Sequence, residues 1–168
     1  MRCAALLLAA AALSGCGLRP LYGGGASGPV QTMLASVEVA PIPGQSGWLV
    51  GNALRDRLNS GQQTSARYRL VVELDDQIAG LGVRRDDSVA RERRTLRARY
   101  QLVDLSSGTV VLDATAGSDA GIDVVGSEYA TIAAERSALE RLSGIVADQI
   151  VARVARFAQS APAPAGAP

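Results

Sequence analysis

The stretch from about Tyr129 to Phe157 restricts the fold most. Leu139, Leu142, Val146, Ile150, Val154 and Phe157 recur at steps of three and four residues, while Glu135, Arg136, Glu140, Arg141, Asp148, Arg153 and Arg156 mostly lie elsewhere. That spacing is the apolar stripe of one α-helix. At 1.5 Å per residue the helix would be about 40 Å long. A stripe of that length must be covered, and the natural cover is a whole β-sheet lying across it.

The sequence supplies such a sheet. Ala35 to Ala40 alternates, with Val37 and Val39 on one face, and is stopped by Pro41 and Pro43, which predicts a strand and a turn. Tyr68, Leu70, Val72 and Leu74 share one face of a second strand, with Arg69, Val71, Glu73 and Asp75 on the other. Leu96, Ala98, Tyr100 and Leu102 repeat the pattern, and Val110, Leu112 and Ala114 follow a Ser106-Ser107-Gly108 turn. Between the first two strands, Val50, Leu54 and Leu58 are one helical turn apart from Trp48 to Leu58. The expected fold is α+β, two helices packed on one face of a four-stranded, largely antiparallel sheet. The other face is left for water or a partner. Trp48 is expected to cap the core at the first helix, with a lipid contact as the other reading. Gly80-Leu81-Gly82 reads as a bend or bulge.

Of 168 residues 17 are basic, and every one is arginine; there is neither lysine nor histidine. This excludes Ser-His-Asp and Cys-His pairs, Schiff bases, a phosphate-loop lysine and imidazole metal ligands. No Gly-x-Ser-x-Gly elbow or Ser-x-x-Lys is present, which disfavours a serine-based envelope hydrolase. Asp86, Asp87 and Glu92 lack the pattern of an oxygen-ligand loop, so neither acid/base work nor calcium is expected of them. A net charge of +1 and 4% aromatic residues argue against nucleic acid as a partner. The reading is of a non-enzyme without metal or cofactor.

At the N-terminus, Arg2 precedes the apolar run Ala4 to Leu13, which leads through Ser14 and Gly15 to Cys16. The run is far shorter than the ~20 residues that span a bilayer and has the layout of a secretory signal peptide. Leu13-Ser14-Gly15-Cys16 resembles the bacterial lipobox. That resemblance implies cleavage before Cys16, with diacylglycerol on its sulfur and an acyl chain on its new amine; the other reading is a secreted protein with Cys16 as a stray thiol. The expected organisation is a signal peptide over 1–15, a lipidated flexible tether over 16–33, a folded domain over 34–158 and a disordered Ala/Pro tail over 159–168.

These residues together resemble a known family. The opening Cys16-Gly17-Leu18-Arg19-Pro20-Leu21-Tyr22-Gly23 is similar to that of alphaproteobacterial members of the LPS-assembly lipoprotein family, LptE. The likeness continues in Tyr68-Arg69-Leu70, in Tyr100-Gln101-Leu102-Val103-Asp104, and in Ser127 to Glu135 at the head of the last helix. It implies an outer-membrane lipoprotein, anchored on the periplasmic side, that plugs the lumen of the barrel LptD, assists its assembly and binds lipopolysaccharide. The alternative reading is an auxiliary lipoprotein of a lipid-transport ABC system.

For lipopolysaccharide the candidate is the arginine-rich stretch Arg84 to Arg99. If Leu96, Ala98, Tyr100 and Leu102 face the core, then Arg91, Arg93, Arg97 and Arg99 fall on the open face. Arginine's planar fork suits phosphate, and four like charges on one strand face call for an anionic partner. The plainer reading is a solvated face on which these arginines pair with Glu73, Asp75 and their neighbours.

Overall fold

A computed structural model describes residues 28–58, 65–83, 89–124 and 126–160. Cys16, the signal sequence, residues 17–27 of the tether, Asp86, Asp87 and the tail from 161 onward lie outside the described residues. In chain order the elements are α1 (Pro29–Ala35), β1 (Val37–Val39), α2 (Gly44–Leu58), β2 (Tyr68–Val83), β3 (Val89–Asp104), β4 (Val110–Asp123) and α3 (Glu128–Ser160). The four strands form one sheet in the order β1-β2-β3-β4. β1 lies parallel to β2 and the other pairs are antiparallel. The fold is α+β, as expected.

Helix α3 has 33 residues, about 50 Å at the helical rise, and β2 and β3 have 16 each, about 53 Å when extended. Helix and sheet therefore match in length. The predicted stripe is the buried one: Leu139, Leu142, Val146, Ile150 and Val154 are at most 1% exposed, and Val50, Leu54 and Leu58 of α2 likewise. They close on Leu70, Val72, Leu96, Ala98, Tyr100 and Leu102, which occupy one face of β2 and β3. Arg57 ties the two helices together, donating from Nε to Asp148 and from NH2 to the carbonyl of Gly144.

Helix α1 is a third helix, in part of the chain read as tether and as the start of the first strand. Pro29 stands at its N-terminus, where a missing amide costs nothing, and Val30 and Leu34, one turn apart, are buried in the same core. Seven residues are too few for a periodicity to stand out. Trp48 does not cap the core: it is 65% exposed, because Val50 and Leu54 define the buried side of α2 and Trp48 falls off it.

The strands run well past the predicted alternation. β2 and β3 stay in one register from Tyr68↔Asp104 to Val83↔Val89, straight through Gly80 and Leu81, so the expected bend is ordinary strand. The irregularity lies instead between β3 and β4, beside Leu102 and Val103. It adjoins the Leu105–Thr109 connection, where Gly108 takes φ +69° and donates its amide to the carbonyl of Asp104, a left-handed position suited to glycine.

Candidate functional site

Strand parity decides which arginines are available. In β3 the even positions face the helices and the odd positions face away. Arg91, Arg93, Arg97 and Arg99 therefore share the open face, as the sequence suggested. Their register neighbours are Leu81 and Asp123 for Arg91, Ala79 and Gly121 for Arg93, Asp75 and Gly117 for Arg97, and Glu73 and Thr115 for Arg99.

Three of the four meet aspartates of β4 rather than the acids of β2. Arg91 Nε donates to Asp123 at 3.0 Å, Arg99 NH2 donates to Asp113 at 3.1 Å, and Arg93 Nε lies 4.0 Å from Asp119. Gln101 donates a further hydrogen bond to Asp113 at 2.8 Å. The Arg99 guanidinium, and after it Gln101, hold the Asp113 carboxyl below its ordinary range, while Asp113 raises Arg99. The arginine side chains are 55–65% exposed, so water competes for every one of these pairs and they contribute little to stability. Repulsion among the four therefore calls for no anionic partner: each positive charge has a negative neighbour on the same face.

Arg97 is held differently. Its NH1 donates to the carbonyl of Ser118 at 3.1 Å and, more weakly, to that of Leu96 at 3.4 Å. It reaches them by lying flat across Gly117, where a Cβ would stand 2.5 Å from Arg97 Cδ. The missing side chain at Gly117 therefore sets the arginine's path. It also opens a shallow groove of about 640 Å³ between Glu73, Asp75, Arg97, Arg99, Thr115 and Gln149. The groove holds both signs of charge.

The even-numbered Arg94 is a residue whose role the sequence reading missed. It points under α3 and grips Asp76 with both arms, Nε to Oδ1 at 2.8 Å and NH2 to Oδ2 at 2.7 Å, while NH1 donates to the Glu135 carbonyl at 3.1 Å. The two side chains are only 12% and 19% exposed, and the bond to Asp76 raises Arg94 above its ordinary value. This pair fixes the first turns of α3 to the sheet where apolar contacts thin out. The Asp76 partner and the even parity were readable; the length of the strands that makes them neighbours was not. Glu92, also on the helix side, is partly buried, with one carboxylate oxygen lacking a hydrogen bond among the described residues.

A family model described as LptE, lipopolysaccharide-assembly, matches residues 34–154. A search of curated proteins gives no match. Among solved structures, one described as a lipoprotein of Caulobacter crescentus is 28% identical with a TM-score of 0.66, over 81% of this chain and 100% of that one. Rare lipoprotein B of Shewanella oneidensis has a TM-score of 0.58 at 13% identity, over 74% of this chain and 95% of its own. Lipoprotein B of Nitrosomonas europaea has a TM-score of 0.56 at 14% identity, over 75% and 89%. At those last two identities the likeness concerns the fold.

Proposed function

Because this chain belongs to the LptE lipopolysaccharide-assembly family, we propose that it is an outer-membrane lipoprotein, acylated at Cys16, that fills the lumen of the barrel LptD, assists the assembly of that barrel and binds lipopolysaccharide in transit. The observation that carries this reading beyond the family is the open sheet face. Along roughly 50 Å of β3, arginines alternate with Thr95 and Gln101 and are flanked by Glu73, Asp75, Asp113, Asp119 and Asp123. A surface that is charged, balanced and wet suits the polar interior of a large barrel and would be a poor match for lipid tails.

Lipopolysaccharide binding fits the same face by exchange. Exposed carboxylates hold Arg91, Arg93 and Arg99 only weakly, and Arg97 bonds to backbone carbonyls through one nitrogen. A phosphate offers two or three acceptor oxygens to a guanidinium fork and forms shorter, stronger bonds. A ligand carrying several phosphates would therefore displace the aspartates at small cost. The chemistry required is recognition alone.

The test is the combined replacement of Arg91, Arg93, Arg97 and Arg99 by Gln. None of the four is part of the core, so the circular dichroism spectrum and urea midpoint should stay at the parent's values. Affinity for purified lipopolysaccharide should fall, by about tenfold for each 1.4 kcal/mol of lost contact, and the parent's affinity should weaken with salt. Parental affinity in a folded variant would remove the arginine face from the account.

A further inference from the structure

The two edges of the sheet are treated unequally. At the outer edge of β4, α3 engages the backbone at Gly117: the Gln149 side-chain amide accepts from the Gly117 amide at 2.9 Å and donates to the Gly117 carbonyl at 3.3 Å, standing in at that point for a neighbouring strand. On the opposite edge, β1 pairs with Tyr68, Arg69 and Leu70 only. Among the described residues no strand pairs with the outer edge of β2 from Val72 to Val83.

The direction of the free groups follows from the bonds that are made. The Tyr68 amide donates outward to the Ser36 carbonyl at 3.1 Å and the Leu70 carbonyl accepts from the Ala40 amide at 3.0 Å. Even-numbered residues therefore present their backbone to this edge, and by alternation Val72, Leu74, Asp76, Ile78 and Gly80 do the same. Proteins usually protect such an edge with Lys, Pro, a bulge or inward-pointing charge. Asp76 supplies a charge at one end. From Gln77 to Val83 the chain has no charged residue, no proline and no lysine, no register shift interrupts the ladder to β3, and Ile78 is 44% exposed.

We propose that this edge pairs with the same edge of a second copy of the chain, antiparallel about a two-fold axis through Gly80, joining two four-stranded sheets into one of eight. Self-pairing is favoured by size and by charge. In that register Ile78 faces the partner's Gly82 and Leu81 faces the partner's Ala79, so each bulky residue meets a small one. Gly80 meets its own copy on the axis, where the two Cα atoms would lie about 5.5 Å apart. Hydrogen bonds fall on the pairs 80↔80 and 78↔82, the even positions whose backbones point outward. Asp76 of one copy stays about 26 Å along the strand from Asp76 of the other, so like charges do not meet. Barrel strands are a poor substitute, because closure leaves them no free edge. The dimer is accordingly a state of the chain outside any barrel, and the proposal does not rest on the barrel reading.

The experiment uses the full-length protein, overproduced without a barrel partner and purified in detergent. Sedimentation mass is measured against concentration for the parent and for Ile78→Pro, which removes one outward amide and no bond to β3. In parallel, Gly80→Cys and Asp119→Cys are oxidised and run without reductant beside the parent, whose own cysteines set the background. We expect the parent at twice the chain mass, a dissociation constant raised by about tenfold or more in Ile78→Pro, and a disulfide-linked homodimer band from Gly80→Cys with none above background from Asp119→Cys. If Ile78→Pro fails to fold, Gly80→Cys decides alone. A parent that stays monomeric, a dimer indifferent to the proline, equal cross-linking in the Asp119→Cys variant, or a Gly80→Cys chain joined to a different protein would each overturn the proposal.

Discussion

Asp76→Ala is the sharpest test of the division between inward and outward arginines in β3. Asp76 and Arg94 share two hydrogen bonds of 2.8 and 2.7 Å. Their remaining exposure is 12% for Arg94 and 19% for Asp76. Removing one member of a buried pair costs about 3–5 kcal/mol, because the survivor keeps its charge in a place that water reaches poorly. The residual exposure allows partial rehydration, which brings the figure to about 2–3 kcal/mol. With a urea slope of about 1.5 kcal/mol per molar for a body of this size, the midpoint should fall by roughly 1.3–2 M. Arg99→Gln, on the opposite face of the same strand, should leave the midpoint unmoved. Replacing the pair together, Asp76→Leu with Arg94→Met, should recover most of the loss, since neither charge is then stranded. Urea unfolding followed by circular dichroism on the parent and all three variants is the assay. Equal midpoints for Asp76→Ala and Arg99→Gln would show that parity does not separate structural from available arginines, and the site assignment would fail with it.

Three further outcomes are expected. Cys16→Ala should abolish fatty-acid labelling and leave an unprocessed or soluble chain; unchanged labelling, measured with a clickable acyl precursor, would refute the lipidation reading. The Ser106 hydroxyl and backbone amide hold Asp104 below its ordinary value of 3.8. A lowered folded value means that the unfolded chain binds more protons, so the contribution to stability is complete above the ordinary carboxylate value and is lost as pH falls through the depressed one. Ser106→Ala should move the Asp104 midpoint up in a carboxyl-carbon NMR titration, and no movement would contradict the assigned cause. Gly117→Val should push Arg97 off its bed, since even a Cβ there stands 2.5 Å from Arg97 Cδ and 3.0 Å from the Leu96 carbonyl; parental stability together with an unchanged Arg97 side-chain resonance would count against the packing described.

The parts of the fold that bury apolar residues at a regular period were legible in the sequence. The stripe of α3, Val50-Leu54-Leu58 of α2 and the alternation around Leu70 and Leu102 all lie where their spacing puts them. The parity of Arg91, Arg93, Arg97 and Arg99 was legible for the same reason, since it is the complement of Leu96, Ala98, Tyr100 and Leu102. The far halves of β2, β3 and β4 were not. There apolar Ile78 and Ile122 stand among helix-facing Asp76, Gly80, Glu92, Arg94, Ser118 and Ala120, most of them too polar or too small to print an alternation. Those strands are held by their ladders and by a few polar bonds, which no hydrophobic period reports. The partners of the arginines were misassigned in consequence. Glu73 and Asp75 lie across from Arg99 and Arg97; Asp113 stands within the alternation of Val110, Leu112 and Ala114 on its other face, while Asp119 and Asp123 became reachable only when β4 extended alongside.

The most direct test of the account is to tag the native chain, extract it from outer membranes in mild detergent and measure what accompanies it. The account predicts one copy of the chain with one large β-barrel protein, together with lipopolysaccharide that is reduced when the four open-face arginines are replaced. Recovery of the chain free of any barrel, or in company with an inner-membrane ATP-driven transporter, would contradict it.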